Sequence, residues 1–195
     1  MGYGAVCYAR FVYPNGTADI CLLISKSRIA PLKFMTIPRL ELNAAVLAAR
    51  LAAQVREEHD LHFDTTTYWS DSMTVLSWIK SRSCRFHTYV DNRIETSSPI
   101  EWNYVPSTAN PADDASRGLD AAEFNMKHRW FSGPDFLKAS TNWPSFPTLP
   151  LMEGNDPEIR ETTWVGKIQL QGNEIDQLIK RKSTRRRCQS IFATR

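Results

Sequence analysis

From Tyr3 to Tyr13 aromatic and β-branched residues dominate, Pro14-Asn15-Gly16 supplies turn residues, and an apolar run resumes from Ile20 to Ile24. This pattern predicts a β-hairpin. With the turn centred on Asn15-Gly16, Cys7 faces Ile24 and Cys21 faces Arg10, so the two thiols are not cross-strand partners and no disulfide is expected. After an extended piece at Lys33 to Thr36, Pro38 opens a long helix that carries Leu40, Ala44, Leu47, Leu51 and Val55 at helical spacing. Thr65 to Trp69 has strand composition and ends at Ser70-Asp71-Ser72, where Val75, Leu76 and Ile79 begin a second helical pattern. Phe86, Val90 and Ile94 mark a third helix. Ile100, Trp102 and Tyr104 then alternate with Glu101, Asn103 and Val105 as a half-buried strand does, and Asn110-Pro111 caps a short helix ending near Gly118.

A hairpin followed by helix, strand, two helices, strand and helix predicts an α/β fold, with a mixed sheet flanked by helices. The expected body is residues 1–129. Residues 130–150, rich in proline and tryptophan, are expected to pack on it or to link it onward, and 151–195 to form an irregular, largely disordered tail. The chain has 195 residues, 42% of them hydrophobic, enough for a real core. Of its 24 Lys/Arg and 21 Asp/Glu, residues 151–195 hold nine and six, so the first 150 residues are electrically balanced. Nucleic-acid affinity in the body would therefore rest on local patches or on metal ions. The basic cluster Lys180-Arg181-Lys182 with Arg185-Arg186-Arg187 is read first as a solvated tail and second as a nucleic-acid contact or nuclear address. No apolar run is long enough to span a bilayer, and no secretory signal pattern opens the chain, so a cytoplasmic or nuclear location and no membrane partner are expected. The four cysteines lack paired spacing, which suggests reduced structural thiols.

Three carboxylates fall where elements begin or end: Glu41 in the first turn of the long helix, Asp71 at the end of a strand, and Asp113 in the first turn of the short helix. Each alone has a plain explanation as a helix cap or a dipole partner. Together they are expected to converge at one sheet edge, because gathered carboxylates repel unless a divalent cation with oxygen ligands sits among them. Small residues Ala45, Ala48, Ala49 and Ala52 on the long helix would let it approach the sheet closely. Ser70, Ser72, Asn110 and Arg117 flank the acidic positions and supply donors suited to phosphate and 2′-hydroxyl contacts.

Three motifs occur in order: Thr36-Ile37-Pro38-Arg39-Leu40-Glu41-Leu42, Trp69-Ser70-Asp71-Ser72 with Val75-Leu76-Ser77-Trp78-Ile79, and Asn110-Pro111-Ala112-Asp113 with Ser116-Arg117-Gly118. With Lys26-Ser27-Arg28-Ile29-Ala30-Pro31 and Trp102, Tyr104-Val105-Pro106, they make the stretch from Tyr3 to Pro144 resemble the ribonuclease H domain of BEL/Pao-type retrotransposon polyproteins. The resemblance implies a ribonuclease H-like sheet and cleavage of the RNA strand of RNA/DNA hybrids. It also implies two Mg2+ (or Mn2+) ions on Glu41, Asp71 and Asp113, with reverse transcriptase and integrase portions of the parent polyprotein as partners. The family's fourth carboxylate, an Asp in the first strand, would lie a few residues before Tyr3, so the tetrad is incomplete as encoded and the chain is expected to be inactive or weak unless completed upstream. Asp19, near the hairpin turn, cannot substitute, and Asp114 would point elsewhere. The alternative is a catalytically inactive remnant that at most binds nucleic acid. The order Glu, Asp, Asp disfavours an integrase-like nuclease. Tyr89-Val90-Asp91-Asn92 lacks the second Asp of a polymerase turn, and the four histidines show no metal-ligand spacing.

Overall fold

The computed structural model describes residues 2–81, 86–94, 102–118, 122, 125, 128–139, 142–145, 156–160 and 191–194. Its first strand, β1 (Gly2–Val12), is apolar on both faces. Ala5, Cys7 and Ala9 belong to one buried cluster and Val6 and Tyr8 to the other, the period-two alternation of a strand with both sides covered. Burial pushes the Cys7 thiol up to about 12, so it stays protonated and inert.

The hairpin partner, β2 (Ala18–Ile29), runs five residues beyond the apolar stretch that announced it. Lys26, Ser27 and Arg28 belong to it because ladder bonds to β1, not burial, hold an edge strand. The turn closes with the Gly16 amide donating to the Tyr13 carbonyl at 2.9 Å. The turn centres on Asn15 rather than on Asn15-Gly16, so Cys21 lies opposite Ala9 rather than Arg10; a bulge between Cys7 and Tyr8 then shifts the ladder by one residue and brings Cys7 opposite Ile24 as expected. The extra residue is Leu23, invisible to a count made outward from the turn. Cys7 is buried and Cys21 exposed, and both are free thiols.

Helix α1 (Ile37–Glu58) starts one residue before Pro38, with Thr36 as its N-cap. All five residues of the expected apolar stripe are buried, together with Leu42, Ala45, Ala48 and Ala52. Those small residues bring the helix down onto β1. Full burial of a leucine such as Leu51 contributes about 1.5–3 kcal/mol. Strand β3 (Thr67–Ser70) leads through Ser72, the N-cap, into α2 (Met73–Lys80). Then come α3 (Thr88–Ile94), β4 (Trp102–Tyr104) and α4 (Ala112–Arg117). Tyr68 on β3 stacks on Trp102 of β4 at 4.8 Å between ring centres, fixing the parallel pairing of these short strands.

On the opposite face Val6, Tyr8, Trp69, Val105, Ala112 and Leu137 are buried, covered by Trp130, Phe136 and Trp143. The segment holding α5 (Arg129–Ser132) is tied down by main-chain acceptors: the Tyr8 hydroxyl donates to the Trp130 carbonyl at 2.9 Å and Arg10 Nε to that of Leu137 at 2.7 Å. Gly133 (φ +67°) lies so close to β2 that a Cβ there would stand 2.5 Å from Ile20 Cγ2.

Residues beyond Pro150, expected as a tail, contribute two pieces to the body. Trp78 Nε1 donates to Asp156 Oδ2 at 2.7 Å, Arg39 pairs with Glu158 at 2.6 Å, and Ile159 forms a bridge with Phe86. Strand β5 (Ile191–Thr194) enters the middle of the sheet, whose order is β2-β1-β5-β3-β4. It runs antiparallel to Ala5–Tyr8 and parallel to Thr67–Ser70. Such pairing rests on backbone groups that composition does not mark. The basic cluster from Lys180 to Arg187 lies outside the described residues. Among the described residues no helix is long and apolar enough to cross a membrane.

Removing residues 191–195 strips partners from backbone groups on both β1 and β3. Each buried group left unpaired costs about 1–3 kcal/mol. The truncated chain should therefore melt about 10 °C or more below the parent, with faster amide exchange at Ala5 to Tyr8. A melting curve superimposable on the parent's would show that β5 does not hold the sheet together.

Candidate active site

Glu41 lies in the second turn of α1, because Ile37 and not Glu41's own turn begins the helix, and no acidic residue occupies the first turn. This corrects its expected position. Helix dipole stabilisation falls off within the first turn, so the dipole is a weak reason for a carboxylate at this point. What holds it is Ser72, whose hydroxyl donates to Glu41 Oε2 at 2.6 Å. Ser72 Oγ also accepts from the Val75 amide, capping α2, while the Ser72 amide donates to Ser70 Oγ. One hydroxyl thus ties the β3–α2 turn, with Asp71 at its centre, to α1. Asp71 Oδ1 is shut off from solvent.

Asp113 is reached from the other side. Asn110 is fully buried, and its side-chain carbonyl accepts from the Ala112 amide at 3.1 Å while its main-chain carbonyl accepts from the Asp113 amide, which starts α4 and places Asp113 in its first turn. Asp113 is 7% exposed, its Oδ1 enclosed, and its Oδ2 stands 3.5 Å from Arg117 Nη2. Helix α4 sits close on the hairpin because Gly4 has no side chain: a Cβ there would meet Ala115 Cβ and the Lys26 carbonyl oxygen, both at 3.2 Å. The next acidic residue is used elsewhere. Asp114 takes a two-pronged contact from Arg129, Nε to Oδ2 at 2.8 Å and Nη2 to Oδ1 at 2.6 Å, and that contact raises the Arg129 pKa further. Asp114 is therefore a structural anchor for α5, as its divergence from Asp113 leads one to expect.

A cleft of about 480 Å³ opens between these elements, lined by Gly2, Tyr3, Leu40, Glu41, Ser116 and Arg117 among others. Glu41 borders it directly. Asp113 stands one contact away, through Arg117, and Asp71 is the chain neighbour of Ser72, which bonds to Glu41. The donor set is all hard oxygen, which suits Mg2+ or Mn2+. Its spacing is looser than a finished cage: among the described residues no three His, Cys, Asp or Glu side chains lie close enough to hold one ion. Of the four flanking residues proposed to touch substrate, Ser70, Ser72 and Asn110 are buried and spend polar atoms on positioning, whereas Arg117 is exposed at the cleft. Gly2 and Tyr3 on the cleft wall escaped the sequence reading. The signal was there in glycines at alternate positions of an otherwise bulky strand, which mark the close approach of another backbone.

Ser72→Ala should lower stability by about 1–2 kcal/mol through loss of the cap and of the bond to Glu41. Ser72→Asp keeps a cap but sets a second carboxylate against Glu41. Its stability relative to Ser72→Ala should fall as pH rises through the ordinary carboxylate range, from about 3 to about 6, because both groups then ionise and repel. Urea titrations at the two ends measure this, and a pH-independent difference would mean that the two side chains do not share the site.

The family model described as Pao retrotransposon-like RNaseH-like domain matches residues 1–72. That span includes β1, β2, α1 and β3, and with them Glu41, Asp71 and Ser72. No curated protein and no solved structure matches the chain. The mixed sheet with helices on both faces agrees with the matched family, and residues 1–72 of this chain are similar to a Pao retrotransposon-like ribonuclease H-like domain.

Proposed function

We propose that this retroelement ribonuclease H-like domain acts on RNA/DNA hybrids at the cleft bordered by Glu41, with Glu41, Asp71 and Asp113 as the residues that would hold Mg2+ or Mn2+. The observation that carries the reading is the Ser72–Glu41 bond, which joins the two acidic positions inside the matched span. When bound, divalent ions would neutralise phosphate charge and activate water for phosphodiester hydrolysis. The chain's own part is positional. Ser72 restrains Glu41, Asn110 sets the start of α4 and so the place of Asp113, and Arg117 offers an exposed guanidinium to a backbone phosphate. None of these groups reads base edges, so recognition would depend on helix shape and 2′-hydroxyls rather than sequence. Reverse transcriptase and integrase portions of a common polyprotein would be its protein neighbours.

The spacing of the carboxylates favours a second reading, a fold that binds nucleic acid without cutting it. The two separate in one experiment: degradation of a labelled RNA/DNA hybrid in Mg2+ or Mn2+, followed for the chain and for Asp71→Asn. The enzyme reading, with three carboxylates in the site, predicts weak metal-dependent cutting that is largely indifferent to sequence and is lost in the variant. Binding with no cutting above the variant's background would establish the second reading. Cutting that survives Asp71→Asn would place the chemistry elsewhere.

A further inference from the structure

The first turn of α1, just before Glu41, lacks the usual local fixings of a helix start. Its N-cap, Thr36, makes no side-chain cap bond, and no acidic residue occupies the turn. The third helical position, where a glutamate commonly closes a capping box, holds Arg39. A cation at the positive end of the helix dipole is unfavourable and invites fraying. Pro38 presets one backbone angle but caps no amide.

What offsets this comes from 119 positions farther along the chain. Glu158, 5% exposed, takes both prongs of the Arg39 guanidinium, Nε to Oε1 at 2.6 Å and Nη2 to Oε2 at 3.1 Å. A two-pronged pair of this kind fixes direction as well as distance. Glu158 is itself held: its amide donates to Asp156 Oδ1 at 2.9 Å, and its carbonyl accepts from the His87 amide at 2.8 Å. Asp156 Oδ2 accepts from Trp78, Ile159 bridges to Phe86, and Arg160 Nη2 donates to Thr88 Oγ1 at 2.7 Å. Residues 156–160 thus form a strap across α2 and the start of α3, and the buried carboxylate of that strap grips α1.

Glu41 follows Arg39 by two residues, about 200° round the same helix, and borders the cleft. Ser72 restrains its side chain, whereas the backbone that carries it is set by the turn before. We infer that Glu158 is a positioning residue for the acidic site: through Arg39 it fixes the first turn of α1, and so the place of Glu41 relative to Asp71 and Asp113. The inference rests on the reading of Glu41 as an ion ligand and adds to it a control that lies outside the span matched by the family model. Groups that hold a metal ligand in place govern affinity without touching the ion.

The test is Mn2+ binding to the full chain without nucleic acid, followed by electron paramagnetic resonance, with a melting curve for each variant. Glu158→Gln keeps the shape and removes the charge. It should weaken Mn2+ binding about fivefold, and the amides of Leu40 and Glu41 should exchange about tenfold faster. Arg39→Ala should act alike, and Arg39→Ala/Glu158→Gln should bind no more weakly than the worse single variant, because both act through one contact. Arg39→Lys keeps a cation and should recover part of the affinity. Leu137→Val, which loosens the core on the opposite face of the sheet, should lower the melting temperature and leave Mn2+ affinity unchanged. Equal weakening in Leu137→Val would reduce Glu158 to a stability effect and overturn the inference. So would parent affinity and parent exchange in folded Glu158→Gln; if Glu41→Gln still weakens binding, the ion site stands without it. Should Glu158→Gln fail to fold, Arg39→Gln carries the same expected loss, and unchanged affinity there overturns the inference. A parent chain that binds no Mn2+ would overturn the ion site and the inference together.

Discussion

Everything in this molecule depends on β1 being buried on both faces. Ala5, Cys7 and Ala9 need α1 above them, Val6 and Tyr8 need Trp130 and its neighbours below, and neither cover can be removed without exposing the same strand. The sheet also needs its central ladder, completed by β5, since backbone groups in a dry interior find no water to replace a lost partner. Once β1 is fixed, the cleft follows. Glycines near its start admit α4, α1 crosses it on small residues, and the end of β3 delivers Asp71 to the same side.

The site is then assembled by few polar atoms, each used more than once. Ser72 caps a helix and holds a carboxylate; Asn110 starts a helix and is itself fully buried. Such residues look like substrate contacts in a sequence because they flank acidic positions. In the folded chain their donors and acceptors turn inward, and the exposed donor at the cleft is that of Arg117.

The element order from β1 to α4 was legible in the sequence because long helical periodicity and strand-to-helix junctions are local signals. Val75, Leu76 and Ile79 announced α2, and Ser72 does cap it. What was illegible depended on partners. Cys21 lies opposite Ala9 because the turn centres on Asn15 alone, and the bulge farther along the ladder then brings Cys7 opposite Ile24. Polar Lys26 to Arg28 lie beyond the apolar run and join the strand through their pairing with β1. Four residues at 191–194 join a strand more than 180 positions earlier, and no local pattern carries that information.

The central claim, that Glu41, Asp71 and Asp113 serve one divalent-ion site, is tested most directly by binding of Mn2+ itself, followed by electron paramagnetic resonance without any nucleic acid. Hard-oxygen coordination predicts that the parent chain removes the free-ion signal on titration and that Glu41→Gln, Asp71→Asn and Asp113→Asn each weaken binding by about tenfold or more, while Asp114→Asn, whose carboxylate belongs to Arg129, does not. Equal Mn2+ affinity in the parent and the three single variants would contradict the account.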